Sequence, residues 1–343
     1  MNQAPHQTLM EIEARETPAV AARIVAQQGE RLKELGSRLR AAPPHYALAA
    51  GRGSSDAAAL LAKYLFEMRI GLPTVSVAPS VHSIYGAQLR LEKALLLAIS
   101  QSGRSPDLVD FCRFATGPDV LRVALINDPA SPLANAVDFS IPLEAGPEKS
   151  VAATKSCLAA MILVLGLVAY WRQDRDLIAA FARSSSVLSD ALSQDWSSAT
   201  AFLDGDGPVY VVGRGPGLAI AAEAALKLKE TNGLHAEAVS AAEIRHGPLA
   251  LAGPDLRVVV FAQRDAALNG LLQTATDLEQ KGCRVMLISA GAATHTAIKP
   301  DAEPTLELLA MLLRFYLFAN DAAIRRGRSP DHPPLLTKVT ETR

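Results

Sequence analysis

Residues 228–248 read LKETNGLHAEAVSAAEIRHGP and carry three glutamates, two histidines, a lysine and an arginine, in a chain that is 49% hydrophobic and 20% charged. Just upstream, Glu223, Lys227 and Glu230 fall at i, i+4 and i+7, on one face of a helix. On a solvated face that spacing is an ordinary salt-bridged surface. Here the flanking run LAIAAEAALKL is apolar almost all round, which is the pattern of a buried helix. A partly buried carboxylate beside a lysine is suited to taking a proton from the carbon next to a carbonyl or imine, and a histidine to moving protons to a ring oxygen. Glu230 precedes Thr231-Asn232-Gly233, a helix stop, so it is expected at a mouth rather than on a face. Lys338, five residues from the end in LLTKVTETR, supplies an amine that could pair with substrate or form a Schiff base. Without further context a lysine so placed is a solvated tail residue.

Two metal motifs are incomplete. Glu243-Ile244-Arg245-His246 is an ExxH, but carboxylate-bridged di-iron bundles need two of these and two more glutamates. His235-Ala236-Glu237 matches the HxE of zinc deaminases, which also require PCxxC, absent here. The expected chemistry is therefore acid–base, with no metal and no cofactor.

A second group of candidates is neutral. After an apolar run ending at Ile99 comes Ser100-Gln101-Ser102-Gly103-Arg104-Ser105-Pro106, with Ser105 at an N-cap and Pro106 at the first helical position. Serine hydroxyls, free backbone amides and a helix N-terminus converging in one place make an anion site. GRGSSD at 51–56 adds Ser54 and Ser55, and Thr154 follows in SVAATKS. Neither GRG is a GxGxxG, and no GxxxxGK[ST] occurs, so dinucleotide or ATP binding is not expected.

The elements that must position these residues repeat. AAGRGSSDAAALLAKYLFE (49–67) echoes VVGRGPGLAIAAEAALKLK (211–229), Ser100 faces Ala262, and RVALIN (122–127) faces RVMLIS (284–289), all at an offset of 162. The second copy reads Ala262-Gln263-Arg264-Asp265 where the first has Ser-Gln-Ser-Gly, so the hydroxyls belong to only one half. Short continuous apolar runs at 46–50, 94–99 and 121–126, and again at 209–212, 257–262 and 284–288, alternate with helices; this predicts parallel βαβ units and two doubly wound, flavodoxin-like α/β domains related by duplication. In such sheets ligands lie beyond the carboxyl ends of the strands. The expected boundaries are a helical segment 1–40, domains at 41–175 and 195–325, and a tail at 326–343.

Composition narrows the classes. A net charge of −1 offers no basic stripe for nucleic acid. Cys112, Cys157 and Cys283 lie far apart, neither a disulfide framework nor a zinc ribbon, which fits a reducing compartment. The N-terminal MNQAPHQTLMEIEARE has acids and no apolar core of a signal peptide. The apolar run 157–171 falls short of the roughly 20 residues a membrane span needs, so a buried helix is expected. A cytoplasmic protein with no membrane or nucleic-acid partner follows.

Taken together, SQSG after a strand, VAxTK, and ALKLKE…HAEA…AAE…HGPLAL with a lysine in a short tail resemble the tandem SIS (sugar isomerase) domain proteins over nearly the whole chain. The likeness is to the isomerase half of glucosamine-6-phosphate synthase and to stand-alone SIS-type glucosamine-6-phosphate deaminases. The resemblance implies that the phosphate of a hexose or hexosamine 6-phosphate is held by Ser100, Gln101, Ser102 and Ser105, with Ser54, Ser55, Val151 and Ala153 from neighbouring loops. It implies Glu230 as the base between C1 and C2 with Lys227 beside it, His246 as the ring-opening group supplied by the neighbouring subunit of a homodimer, and Lys338 as the tail lysine. No counterpart of the synthase's glutaminase cysteine is expected. Arg104 replaces the family's usual glutamate, and Ala153 a frequent serine. The expected reaction is isomerising deamination of glucosamine 6-phosphate to fructose 6-phosphate and ammonia. The alternatives are another amino-sugar-phosphate deaminase or deglycase, a phosphosugar isomerase, and a non-catalytic sugar-phosphate-sensing module.

Overall fold

The computed structural model describes residues 7–291 and 296–338. The first six and last five residues, which the expected N-terminal segment and tail include, lie outside the described residues. The helices are α1 (Leu9–Arg15), α2 (Thr17–Ala41), α3 (Ser54–Leu65), α4 (Ser80–Ser83), α5 (Pro106–Phe114), α6 (Lys155–Arg172), α7 (Arg175–Ala182), α8 (Ser184–Leu192), α9 (Gly217–Asn232), α10 (Leu268–Gln280) and α11 (Pro304–Arg325).

Among the described residues ten strands form two five-stranded sheets. The first contains β1 (Tyr46–Ala50), β2 (Thr74–Ser76), β3 (Ala94–Ser100), β4 (Leu121–Ile126) and β5 (Phe139–Pro142), in the order β2-β1-β3-β4-β5. The second contains β6 (Val209–Gly213), β7 (Ala236–Ser240), β8 (Arg257–Ala262), β9 (Arg284–Ala290) and β10 (Ala297–Ile298), in the order β7-β6-β8-β9-β10. Every pairing is parallel. Strand for strand the two sheets have one topology, as the 162-residue echo requires. The central strands β3, β6 and β8 are buried at every position, because helices cover both faces of a parallel sheet. That double cover is why these strands read as unbroken apolar runs rather than alternating ones.

The chain divides into two compact units, and the division is interleaved. One unit holds the first sheet and comprises Ala19–Pro147 and Lys155–Ser184; the other holds the second sheet and comprises the described residues through Pro18, the segment Glu148–Thr154 and Ser185–Lys338. In the first, α6 packs on α3 and α7. Among the described residues α6 is the one helix long and apolar enough to cross a membrane, and it is 89% buried, as a core helix is. In the second, α9 and α11 pack on each other, and α9 also lies against β6 and β7.

Both GRG turns serve the same local need. A Cβ on Gly51 would come within 2.5 Å of the Ser55 backbone, and one on Gly213 within 2.2 Å of the Gly217 carbonyl oxygen. Gly53 and Gly215 each take φ of 56°, which an L side chain resists. These turns bring the chain from the strand end straight into α3 and α9.

Candidate functional site

In the first unit, chain order reverses between β1 and β3, so the crevice for a ligand lies beyond their carboxyl ends. The loops there are Gly51–Ser54 and Ser100–Ser105. Ser54 and Ser55, half-buried, start α3; Gln101, Ser102 and Ser105, also half-buried, follow β3. Ser100 is buried and accepts from the Gly103 amide at 2.9 Å, and the Ser102 hydroxyl accepts from the Arg104 amide at 3.3 Å. Ser105 occupies the N-cap of α5 with Pro106 behind it, yet its hydroxyl makes no capping bond. Gly103 has φ of 64° and no room for a side chain, since a Cβ would meet Ser131 Oγ at 2.2 Å. Two arginines flank the loops and are tethered: Arg52 Nε donates to the buried Asp107 at 3.0 Å, and Arg104 Nη2 to Asp128 at 3.0 Å. The result is a polar, hydroxyl-lined turn with two cations held beside it, suited to an oxyanion.

The matching turn of the second unit is closed by its own side chains. Gln263, fully buried, donates to the Arg214 carbonyl at 2.8 Å. Arg264, at the position of Ser102, donates through Nε to Glu307 at 2.7 Å and through Nη2 to the Asp301 carbonyl at 2.7 Å. The missing hydroxyls are thus replaced by an internal ion pair.

That second unit carries the charged residues. Helix α9 ends at Gly233 (φ 60°), where the Leu234 amide turns back to the Leu228 carbonyl at 3.2 Å. Glu223 and Lys227 are fully buried, with Lys227 Nζ 3.5 Å from Glu223 Oε1. Lys227 also donates to Glu230 Oε2, and Glu230 alone of the three keeps a solvent-facing edge, with one-fifth of its side chain exposed. From α11, Tyr316 donates its hydroxyl to Glu223 Oε1 at 2.9 Å. A carboxylate backed by an ammonium at a helix end can accept a proton from carbon and return it to a neighbouring atom.

Lys338 is held to the interleaved segment of the same unit. Its Nζ lies 2.7 Å from the Ser150 carbonyl oxygen and 3.2 Å from Glu148 Oε2. Glu148 also accepts from the Thr154 amide at 3.0 Å, closing the segment on itself. Glu13 of α1 accepts from the Lys149 and Ser150 amides, and the Val151 amide donates to the Asp331 carbonyl at 3.4 Å. Asp331 in turn accepts from the Leu9 and Met10 amides at 2.7 Å each, so both chain ends brace 148–154. Val151 and Ala153 are half-buried on it.

His246 follows a short 3-10 turn, Glu243–Arg245, and is exposed, as are His235, Glu237 and Glu243. HAEA, read above as part of a charged cassette, enters strand β7. Among the described residues no three His, Cys, Asp or Glu side chains are grouped so as to hold a metal ion. The contacts of Glu148 with Lys338 and of Tyr316 with Glu223 are not legible in the sequence: one is a single acid in a loop, the other one aromatic in an apolar helix.

The sequence matches the SIS domain at residues 44–170 and again at 205–318, so the chain belongs to the SIS domain family and carries two copies. Among curated relatives it is 31% identical over 316 residues to the glutamine–fructose-6-phosphate aminotransferase (isomerizing) of Aeropyrum pernix, covering 85% of this chain and 50% of that protein. The chain thus spans about half the length of that relative. A solved structure from Silicibacter pomeroyi DSS-3, assigned as a phosphosugar isomerase, is 36% identical with a TM-score of 0.88, covering 95% of this chain and all of the other. The C-terminal domain of glucosamine-fructose-6-phosphate aminotransferase from Francisella tularensis shares the fold, with a TM-score of 0.84 at 23% identity, covering 97% of this chain and all of that one.

Proposed function

We propose that the protein is a metal-independent aldose–ketose isomerase of amino sugar phosphates, converting glucosamine 6-phosphate to fructose 6-phosphate and ammonia. The observation that carries this reading is Glu230, a carboxylate with a solvent-facing edge, held by the buried ammonium of Lys227 at the end of α9. Ser54, Ser55, Ser100, Gln101, Ser102 and Ser105 hold the phosphate. His246 moves a proton to the ring oxygen as the pyranose opens; its exposure suits a group lent to a second copy of the chain, in a homodimer.

Glu230 then takes the proton from C2 of the open aldehyde. The C–H electron pair forms the C1–C2 double bond, and the carbonyl oxygen gains a proton. Return of the proton to C1 leaves an imine at C2, which water hydrolyses to the ketose and ammonia. Lys338 neutralises the charge that develops on oxygen, or carries the ketose as its own imine. The same residues serve simple phosphosugar isomerisation, the activity assigned to the Silicibacter relative; release of ammonia separates the two.

The test is to supply glucosamine 6-phosphate, galactosamine 6-phosphate and fructosamine phosphates, and to measure ammonia and ketose phosphate. Equal amounts of both from glucosamine 6-phosphate support the reading. Ketose formation only from non-amino sugar phosphates makes the protein a phosphosugar isomerase. Binding of these sugars without turnover of any makes it a sensing module.

A further inference from the structure

The hydroxyl-lined loop of the first unit brings little positive charge of its own. Pro106 has no N–H, the Leu108 amide donates to Asp107 Oδ1 at 2.8 Å, and the Val109 amide donates to the Ser105 carbonyl at 3.0 Å. Within residues 106–109 that leaves the Asp107 amide for a ligand, where a helix N-terminus holding an anion commonly offers several. The Asp107 carboxylate, 2% exposed in the first turn of α5, also sets a negative charge at this end. It consumes part of the helix dipole that would otherwise favour a bound anion. A phosphate dianion here therefore needs a cation that neither the serines nor the helix provides.

Two arginines flank the loop, and the sheet order separates them. Arg104 reaches Asp128, which follows β4, and β4 lies on the far side of β3 from β1. Arg52 comes from the loop after β1 and reaches Asp107 in the first turn of α5, so it bridges the two loops that border the crevice between β1 and β3. Its Nε and Nη2 both donate to the same oxygen, Asp107 Oδ2. The Nη1 edge carries no hydrogen bond among the described residues, and the side chain is 46% exposed. A guanidinium fixed along one edge and open along another is oriented in advance for an oxyanion. Asp56, in the first turn of α3, lies in the field of the same cation: burial raises its carboxyl above the ordinary 3.8, and Arg52 opposes that. From this arrangement we infer that Arg52 binds the phosphate directly through its Nη1 edge, with Asp107 as the residue that aims it, and that Arg104 does not share this role.

The inference rests on the Ser100–Ser105 loop being the phosphate site, and its test separates the two. The rival is a structural tie, in which Arg52 only joins the β1 loop to α5 and neutralises Asp107. Binding of inorganic phosphate, displaceable by glucosamine 6-phosphate, is followed by calorimetry at low salt, with folding of each variant verified by thermal melting. Arg52→Met is expected to weaken phosphate by about 30- to 100-fold, through loss of a charge-assisted bond and exposure of the anion to Asp107. The double variant Arg52→Met, Asp107→Asn removes that repulsion but not the missing bond, and is expected to remain about tenfold weaker than the wild type. Arg104→Met is expected to cost about threefold or less, as a solvent-screened charge does. In turnover, Arg52→Met raises KM for the sugar phosphate and leaves kcat within about threefold.

A folded Arg52→Met that binds phosphate as the wild type does overturns the inference while the loop remains the phosphate site. Full recovery in the double variant overturns it in favour of the structural tie. Where Arg52→Met does not fold, Arg52→Lys is read in its place; it keeps the charge and loses the fork, with an expected loss of about three- to tenfold, and wild-type affinity in it counts against the inference. A wild-type protein that binds no displaceable phosphate ends the phosphate reading of the loop, and the role of Arg52 with it.

Discussion

Lys338 Nζ sits 3.2 Å from Glu148 Oε2, so the one amine of the C-terminal tail read as functional is held by a carboxylate nearly two hundred residues earlier in the chain. Glu148 is buried, and it also fixes the turn leading to Thr154. Removing the ammonium in Lys338→Ala takes away a charge-assisted bond worth about 1.5–3 kcal/mol. Urea unfolding is expected to show a loss in that range, alongside a fall in turnover of about a hundredfold or more. In Glu148→Gln Lys338 loses its ion pair and keeps the Ser150 carbonyl, and limited proteolysis is expected to cut near the C-terminus faster than in the wild type.

Ser102 and Ser100 occupy the same loop but do different work. The Ser102 hydroxyl is half-buried and loosely engaged, so Ser102→Ala is expected to raise KM for the sugar phosphate about tenfold with kcat nearly unchanged, as loss of one bond to an anion does. Ser100 is buried and accepts from the Gly103 amide. Ser100→Ala is therefore expected to lower the melting temperature as well. Equal stability for both variants would contradict this division.

The closed turn of the second unit gives the complementary case. Glu307 is fully buried and faces a half-exposed Arg264. Arg264→Ala leaves that carboxylate with backbone donors alone and is expected to cost about 2 kcal/mol, below the range for a wholly buried pair. Inhibition by inorganic phosphate should be unaffected, because this turn is filled by protein. A variant that weakens phosphate inhibition would show that the second turn also binds anions.

Asp138 supplies a pH test of the first unit. Arg122 donates to it at 2.6 Å and 3.1 Å, and its own amide donates at 2.9 Å. Those hydrogen bonds hold the carboxyl below the ordinary value of 3.8, against the opposing effect of burial. With a depressed folded-state pKa, the stabilisation is complete above the unfolded value and is lost as pH falls through the folded one. Asp138→Asn is expected to cost about 1 kcal/mol at pH 7. Its deficit should shrink once pH drops below about 4. A deficit that stays constant into acid would rule out this ionised pair as the cause.

Much of the fold was readable because it rests on repetition and on buried runs. The six inner strands, the apolar α6 and the stop of α9 at Gly233 all follow from local pattern. The edge strands did not announce themselves: β2 has three residues with Val75 half exposed, β10 has two, and β7 mixes glutamate and serine among its apolar positions. An edge strand can be short and partly wet, so it lacks the unbroken apolar signature. The burial of Glu223 and Lys227 was legible from the apolar surround of α9. Their link to Tyr316, and the bracing of 148–154 by both chain ends, depend on contacts between distant segments that no local spacing encodes.

The central claim concerns one carboxylate. Wild type and Glu230→Gln are to be compared for ammonia and fructose 6-phosphate formed from glucosamine 6-phosphate, with folding of the variant verified by thermal melting. The expected result is stoichiometric release of both products by the wild type and a loss of at least about a hundredfold in kcat for the variant, the usual cost of removing a general base. A Glu230→Gln enzyme as active as the wild type would contradict the account.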